Sequence, residues 1–167
     1  NPGIRDFRDP KVFWNEANEN WNMVLAVNDH INIYSSKNLI DWDFESEFGY
    51  EEGSHGGVWE CPDLFQLEVE NSNEKKWVML VSLNNGAPNG GSGTQYFVGD
   101  FDGKKFVSNS EKVTWVDYGK DNYAGVTWND MPKNDHRRIF IGWLNNWQYA
   151  NEIPTGNWRG TSTMPRV

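Results

Sequence analysis

Short runs of apolar and β-branched residues recur along the chain, separated by clusters of Asn, Asp, Gly and Ser. This pattern is typical of β-strands joined by turns, whereas the apolar residues of an amphipathic helix recur every three to four positions. The sequence therefore predicts an all-β chain. The predicted strands cover residues 11–14, 21–27, 31–35, 41–44, 63–67, 77–83, 94–100, 105–107, 124–128 and 138–144.

The predicted strands repeat in the same order along the chain. Trp21 and Trp77 occupy matching places in two successive groups, as do Tyr34 and Tyr96, and a third group begins near Ala124. Units of four antiparallel strands with a period of roughly 50 to 60 residues are typical of β-propeller blades. A sandwich of similar hairpins is the alternative. The predicted units, about three blades in all, are residues 4–57, 58–116 and 117–167.

Two acidic residues stand where successive units open. Arg8-Asp9-Pro10 opens the first unit, and Glu60-Cys61-Pro62 opens the second. Because the innermost strands of a propeller line one central channel, we expect these residues to converge. Alignment of the two prolines leaves Asp9 and Glu60 one residue out of register. Side chains alternate along a strand, so a β-bulge or a twist must intervene if both point inward.

The surroundings of Glu60 suggest a working carboxyl group. A glycine-rich approach at residues 52–57 and Trp59 precede it, and an apolar run at residues 64–67 follows. Carboxyl groups are rarely buried unless they are paired. A carboxyl group that is partly screened from water can hold a proton near neutral pH and donate it to a leaving group.

Composition narrows the class of ligand. The chain has 15 basic and 24 acidic residues, a net charge of -9, which argues against nucleic acid as a partner. Ten Trp, nine Phe and six Tyr suit a neutral polyhydroxylated ligand such as a sugar. The single cysteine, Cys61, excludes an internal disulfide, and the three histidines lack ligand spacing, so we expect no metal or cofactor. No apolar run is long enough to span a membrane, and no signal peptide opens the sequence.

Four segments, in this order, resemble glycoside hydrolase family 32, which includes invertases, levanases, inulinases and fructan exohydrolases. The first two, centred on Arg8-Asp9-Pro10 and Glu60-Cys61-Pro62, are similar to its paired signatures. The other two are similar to its Asp-x-Gly-x-Asp-x-Tyr-Ala segment and to its closing motifs. In this chain the four segments are Phe7–Pro10, Trp59–Leu64, Asp117–Ala124 and Gly142–Trp147, the last followed by Pro154-Thr155 and Trp158-Arg159-Gly160.

This resemblance implies a five-bladed propeller that hydrolyses β-fructofuranosyl bonds with retention. Glu60 would be the general acid/base, and Asp9 would hold two fructose hydroxyls and stabilise the transition state. The substrate would be a fructan such as levan or inulin, or sucrose. The residues implied in substrate binding are Arg8, Asp9, Cys61, Tyr123, Trp143 and Trp147.

The sequence departs from the family pattern in one respect. The family nucleophile is an Asp in an N-terminal Trp-Met-Asn-Asp-Pro-Asn-Gly segment, which does not occur here. Trp128–Pro132 has a similar composition but falls where the third unit's first hairpin should turn. We therefore expect a partial catalytic propeller without the family's first blade and C-terminal β-sandwich, inactive by itself and completed by the remaining parts of the domain.

Two alternatives to this function stay open at the level of sequence. The same motifs would serve a fructosyltransferase, in which a sugar replaces water as the acceptor. A non-catalytic sugar-binding module on a degenerate propeller is the alternative from a different class. The polymeric substrates of the family and the acidic, cysteine-poor composition favour an extracellular parent protein.

Overall fold

The computed structural model describes residues 2–132 and 134–167. Within this part of the chain there are twelve β-strands and no helix, so none that could cross a membrane, and the strands form three antiparallel sheets. The prediction of an all-β chain is confirmed.

The first sheet is a four-stranded meander in which each strand pairs with the next along the chain. Its hairpins are in register apart from one irregularity in each outer pair. The strands are β1 (Phe7–Asn15), β2 (Asn20–Val27), β3 (His30–Ser36) and β4 (Asp43–Phe48).

The second sheet repeats this meander and adds a short strand. β9 lies beside β7, so the sheet has five strands where the sequence predicted four. A strand of two residues is too short to give a hydrophobic pattern. The strands are β5 (Trp59–Glu68), β6 (Lys75–Leu83), β7 (Gly93–Phe101), β8 (Phe106–Ser108) and β9 (Thr114–Trp115).

The third sheet has three strands among the described residues. Phe140 also forms an isolated bridge with Arg166 near the end of the chain. The strands are β10 (Tyr123–Thr127), β11 (Phe140–Leu144) and β12 (Thr161–Ser162). The first strands of the three sheets are neighbours, because β1 contacts β5 and β5 contacts β10. This is the arrangement of successive propeller blades.

Two apolar clusters join the sheets. In the first, the ring of Phe48 from β4 meets the edges of Phe97 and Phe106 at centroid distances of 5.0 and 4.9 Å, so the first two sheets share one core. The second cluster joins β5 and β6 to Phe140 of β11. A cavity of about 1000 Å³ remains beside this second cluster.

A β-bulge interrupts the first strand of each sheet. The register shifts between Arg8 and Lys11 in β1 and between Glu60 and Asp63 in β5. Asp9 and Cys61 take the left-handed backbone conformation there, with φ of 59° and 47°. The expected bulge is confirmed in both strands. A third bulge, which sequence reasoning did not predict, lies in β10 at Ala124, where φ is 51°.

Candidate active site

The bulges of β1 and β5 bring a guanidinium and a carboxylate together at the mouth of the inner strands. Arg8 Nη2 donates a hydrogen bond of 2.8 Å to Oε1 of Glu60, and Arg8 Nη1 donates one of 2.5 Å to Oδ1 of Asp6. These two carboxylates, Glu60 first, raise the pKa of Arg8. The Glu60 side chain is 18% exposed, so it is screened from bulk water but still open to a ligand.

The other residue of each bulge completes the group. Oδ2 of Asp9 accepts a hydrogen bond of 3.1 Å from the Cys61 backbone N–H, and the Cys61 thiol lies 3.6 Å from the same oxygen. Burial, with the Asp9 charge as a further cause, raises the pKa of the Cys61 thiol to about 12. Cys61 is therefore a protonated donor at neutral pH. Among the described residues no other hydrogen bond reaches the Asp9 carboxylate, so Oδ1 is open to a ligand.

Glu60 is positioned by the residue before it. Trp59 is fully buried, and its indole Nε1 donates to the Ser54 carbonyl at 2.8 Å. A Cβ atom on Gly49 would lie 2.3 Å from the indole ring, so this position, with φ of 105°, requires glycine. The His55 ring stacks on the indole at a centroid distance of 5.3 Å. The glycine-rich approach to β5 is thus held against one rigid ring.

The backbone of one residue, Asn28, ties the two bulged strands together. The Asn28 N–H in the β2–β3 turn donates to the Asp6 carbonyl at 2.8 Å, and the Asn28 carbonyl accepts from the Trp59 N–H at 2.7 Å. Asp6 precedes β1, and Trp59 begins β5. Asn28 therefore sets how far apart the two mouths lie.

A buried ion pair lies below the mouth. Asp63 is fully buried, and its Oδ2 accepts hydrogen bonds from the Thr127 N–H at 2.8 Å and hydroxyl at 2.7 Å. Lys11 Nζ lies 3.3 Å from the same oxygen and donates to the Thr127 carbonyl at 2.6 Å. Oδ1 of Asp63 is buried without a partner. This cluster joins β1, β5 and β10.

Sequence reasoning missed the Lys11–Asp63 pair, although a signal was present. Each residue directly follows one of the two aligned prolines, Pro10 and Pro62. Opposite charges at equivalent positions of neighbouring inner strands are expected to pair when the channel between them is closed to water.

The three aromatic residues implied in substrate binding form a second group. The ring centroids of Tyr123 and Trp143 are 6.3 Å apart, and those of Trp143 and Trp147 are 5.1 Å apart. Trp147 is 49% exposed and can offer a ring face to a sugar, whereas Tyr123 is buried. In residues 2–132 and 134–167, no hydrogen bond or ring contact joins this group to the Arg8–Glu60 pair.

The two aspartates of the third resemblance segment already have partners. Arg166 donates a hydrogen bond to Asp117 and lowers the pKa of that carboxyl, with the Gly119 N–H as a further donor. Asp121 accepts a hydrogen bond from the Tyr149 hydroxyl. Both aspartates hold loops in place.

The Trp128–Pro132 segment follows the end of β10, on the connection to β11. Its predicted place at a hairpin turn is confirmed. Since Glu60 stands at the start of β5 and β10 begins beside it, Asp130 lies at the far end of the inner strand. Within the described ranges, no three His, Cys, Asp or Glu side chains are grouped to hold a metal ion.

The sequence matches the family model described as Glycosyl hydrolases family 32 N-terminal domain over residues 1–167. It is 60% identical to the levanase of Bacillus subtilis (strain 168) over 169 residues, which cover 99% of this chain and 25% of that protein. It is 44% identical to an extracellular exo-inulinase of Aspergillus awamori over 173 residues, covering 97% of this chain and 32% of that protein.

Solved structures agree. The crystal structure of the exo-inulinase from Aspergillus awamori superposes with a TM-score of 0.90 at 43% identity, over 97% of this chain and 33% of that one. The fructofuranosidase from Schwanniomyces occidentalis complexed with fructose gives a TM-score of 0.88 at 42% identity, over 96% and 31%. The chain spans a quarter to a third of the length of these relatives. It belongs to glycosyl hydrolase family 32, and its three sheets are blades of that family's N-terminal β-propeller.

Proposed function

We propose that this chain supplies the acid/base and the transition-state carboxylate of a retaining β-fructofuranosidase. The observation that carries the proposal is the pair of facing bulges. They bring Arg8 and Asp9 of β1 against Glu60 and Cys61 of β5, although 51 residues separate Asp9 from Glu60 in the sequence. Carboxylates that meet at one mouth, each held by a defined donor, are typical of glycoside hydrolase sites, and this pair would supply two of the groups that the reaction needs.

Each group has a separate role in the proposed reaction. Glu60 protonates the glycosidic oxygen as the bond to the leaving group breaks, and then removes a proton from the attacking water. Arg8 holds Oε1 of Glu60, so Oε2 faces the substrate. Asp9, fixed through Oδ2, uses Oδ1 to bind fructose hydroxyls and to stabilise the positive charge that develops on the ring.

Retention also requires a nucleophile, which forms a covalent glycosyl-enzyme intermediate with the sugar. Asp130 does not fill this role, because it lies at the opposite end of β10 from the mouth. The nucleophile therefore comes from other parts of a longer catalytic domain. The 167-residue chain alone then has part of the sugar-binding site but does not catalyse hydrolysis.

The proposed substrate is sucrose or a fructan. The relatives include a levanase and exo-inulinases, and Schwanniomyces fructofuranosidase was solved with fructose and, as a variant, with fructosylnystose. In this chain the exposed face of Trp147 stacks on the apolar face of the sugar. The extracellular exo-inulinases among the relatives support an extracellular parent.

The test is a chimera in which these 167 residues replace the matching segment of the Bacillus subtilis levanase. We expect the chimera to release fructose from levan, inulin or sucrose, and the chain alone to release none. Glu60→Gln in the chimera should lower the rate about 10²- to 10⁴-fold, the usual contribution of a general acid/base. Glu68→Gln, at the exposed end of the same strand, is the matched control.

The outcomes separate the competing functions. Sugar binding without hydrolysis by the chimera, unchanged by Glu60→Gln, would identify a non-catalytic binding module. Fructosylated sugars as the main product at high sucrose would identify a transferase.

A further inference from the structure

Asn146 is fully buried, and its carboxamide uses all of its hydrogen-bonding capacity. The oxygen accepts from two backbone N–H groups, and the nitrogen donates toward three carbonyl groups. The N–H groups are those of Gln148 at 2.8 Å and Ser92 at 3.2 Å, and the carbonyls are those of Lys120 at 2.8 Å, Ser92 at 3.0 Å and Gly90 at 3.4 Å. These five hydrogen bonds make the Asn146 amide important for the local structure, because its loss would leave several buried polar groups without a partner.

These partners belong to three different loops. Residues 84–92 join β6 to β7, residues 116–122 join β9 to β10, and residues 145–160 join β11 to β12. β5 begins at the mouth, β6 returns to it, β10 begins there and β11 ends there. All three loops therefore lie at the same end of the sheets as Glu60.

The Asn146 contacts fix the backbone of the next residue, Trp147. The Trp147 N–H donates to the buried Ser92 hydroxyl at 3.1 Å. A Cβ atom on Gly91, where φ is 71°, would lie 1.9 Å from Oδ1 of Asn146, so only glycine lets this loop close on the amide. The exposed indole thus stands on a backbone that is hydrogen-bonded from two sides.

The same loop reaches the approach to Glu60 at its other end. Asn84 exchanges two hydrogen bonds with Val58, at 3.1 and 3.3 Å, and Asn85 donates to the Gly56 carbonyl at 3.1 Å. Val58 directly precedes Trp59 and Glu60. One loop therefore connects the backbone that carries Trp147 with the backbone that carries the carboxylate.

We propose that Asn146 is a positioning residue that fixes Trp147 relative to Glu60, and so sets sugar affinity without touching the sugar. The part of this inference that concerns sugar affinity rests on the proposed function; the part that concerns the place of Trp147 does not. Asn146→Asp is the matched substitution: it keeps the shape and the accepting oxygen but removes both N–H donors, so three carbonyls lose their partner.

The first measurement needs no sugar. In the full chain labelled with 5-fluorotryptophan, each Trp gives its own ¹⁹F resonance, and Trp147→Phe and Trp143→Phe assign the two of interest. We expect Asn146→Asp to move or broaden the Trp147 resonance and to leave those of the distant Trp14 and Trp21 in place. Asn145→Asp is the control, because the buried Asn145 side-chain nitrogen has no hydrogen-bond partner to lose.

Two further observations keep the inference open to refutation. If Asn146→Asp fails to fold, Ser92→Ala removes only the acceptor of the Trp147 N–H and should shift the same resonance by less. Acidification should partly restore the Trp147 resonance of Asn146→Asp, since a protonated carboxyl regains one donor. An unmoved Trp147 resonance in both variants overturns the inference.

The second measurement tests the consequence for sugar. In the levanase chimera, Asn146→Asp should raise KM about three- to tenfold, the size of one aromatic contact, while kcat stays within about twofold. A fall in kcat with unchanged KM overturns the positioning role. If the unsubstituted chimera is inactive on every substrate while the Trp147 resonance still moves, the proposed function fails and the positioning of Trp147 by Asn146 stands.

Discussion

The first strands of the three sheets all contain a β-bulge but carry different side chains at it. Each has a bulge whose central residue is left-handed, Asp9 in β1, Cys61 in β5 and Ala124 in β10. The first two bulges face each other and hold charged groups at the mouth. The third presents a methyl group, flanked by the buried ring of Tyr123.

All three inner strands have a bulge, but only β1 and β5 carry charged groups there, so the backbone feature and the side-chain chemistry are separate properties. The bulge is a property of the inner strand in every described sheet, so it is not by itself a sign of catalysis. Asp tolerates the left-handed conformation because its side chain can bond locally, whereas Cys and Ala adopt it at a cost of about 1 kcal/mol or more. The charged groups of β1 and β5 thus lie on a bulged backbone that β10 also has. Substitutions that change the side chain and keep the bulged backbone separate the contributions of the two.

The largest effect is expected below the mouth, where β1 and β5 carry the Lys11–Asp63 pair and β10 contributes only Thr127. Asp63→Ala leaves the Lys11 ammonium without its counter-charge and Thr127 without its acceptor. Removing one partner of a buried ion pair typically costs about 3–5 kcal/mol, a change of about a hundredfold to several thousandfold in the unfolding equilibrium. Urea unfolding of the full chain measures it.

Asp100→Ala is the matched control for this prediction. Asp100 pairs with Lys76 at 2.9 Å across β6 and β7, but on an exposed surface, so its loss should change stability little. Equal destabilisation by the two substitutions would show that the buried pair has no special role in joining the three inner strands.

The next effect concerns the thiol in the second bulge. Because the pKa of Cys61 is raised to about 12, its thiolate fraction at pH 8 is about 10³-fold smaller than that of an ordinary thiol with a pKa near 8.5. Iodoacetamide should therefore modify the folded chain at least that much more slowly than the urea-unfolded chain. The folded rate should keep rising with pH beyond 10, where the unfolded rate is level.

Burial is the main cause of the raised Cys61 pKa, and Asp9→Asn tests the further contribution of the Asp9 carboxylate. The Asp9 charge and hydrogen bond both raise the Cys61 pKa, so their loss should speed alkylation of the folded chain. The raised pKa also has a consequence for stability. The unfolded chain loses the thiol proton first, so stability should fall as pH rises from about 9 toward 12. A folded rate equal to the unfolded rate at pH 8 contradicts the shift.

The smallest change in stability is expected from a pair of glycine substitutions that treat the two kinds of bulge alike. Asp9→Gly and Ala124→Gly both keep a left-handed residue, and Ala124→Gly should stabilise the chain by about 0.5–1 kcal/mol because it removes the strain on Cβ. In the levanase chimera only Asp9→Gly should lower activity, by about 10²- to 10³-fold, the usual cost of one electrostatic transition-state contact. Thermal unfolding and fructose release measure the two effects. Equal losses of activity would mean that the backbone, and not the carboxylate, matters.

Much of the fold was readable from the sequence because strand periodicity and turn residues are local signals. The ten predicted strands correspond to β1–β8, β10 and β11. The offset between Asp9 and Glu60 also required a bulge or a twist, and both strands have a bulge. β9 and β12, with two residues each, carry no period that could be detected.

The candidate site was readable only in part. The Arg8–Glu60 and Asp9–Cys61 contacts join residues that the motifs had already singled out, and their catalytic roles remain predictions. The carboxamide of Asn146 gave no signal, since its role depends on three loops meeting around one buried side chain. These contacts of Asn146 depend on tertiary packing, so no spacing of residues along the chain predicts them.

The two backbone hydrogen bonds of Asn28 determine where the chain can accept insertions. These bonds, to Asp6 and from Trp59, span the mouth directly, so β3, β4 and the turn between them do not enter the distance that separates the two bulges. That turn, residues 37–42, includes Ile40, which is 80% exposed. Insertions there would lengthen the blade at its outer rim and leave the spacing of the Arg8–Glu60 and Asp9–Cys61 contacts unchanged. New binding surface can therefore be added at residues 37–42 without a change in the distance between the two bulges.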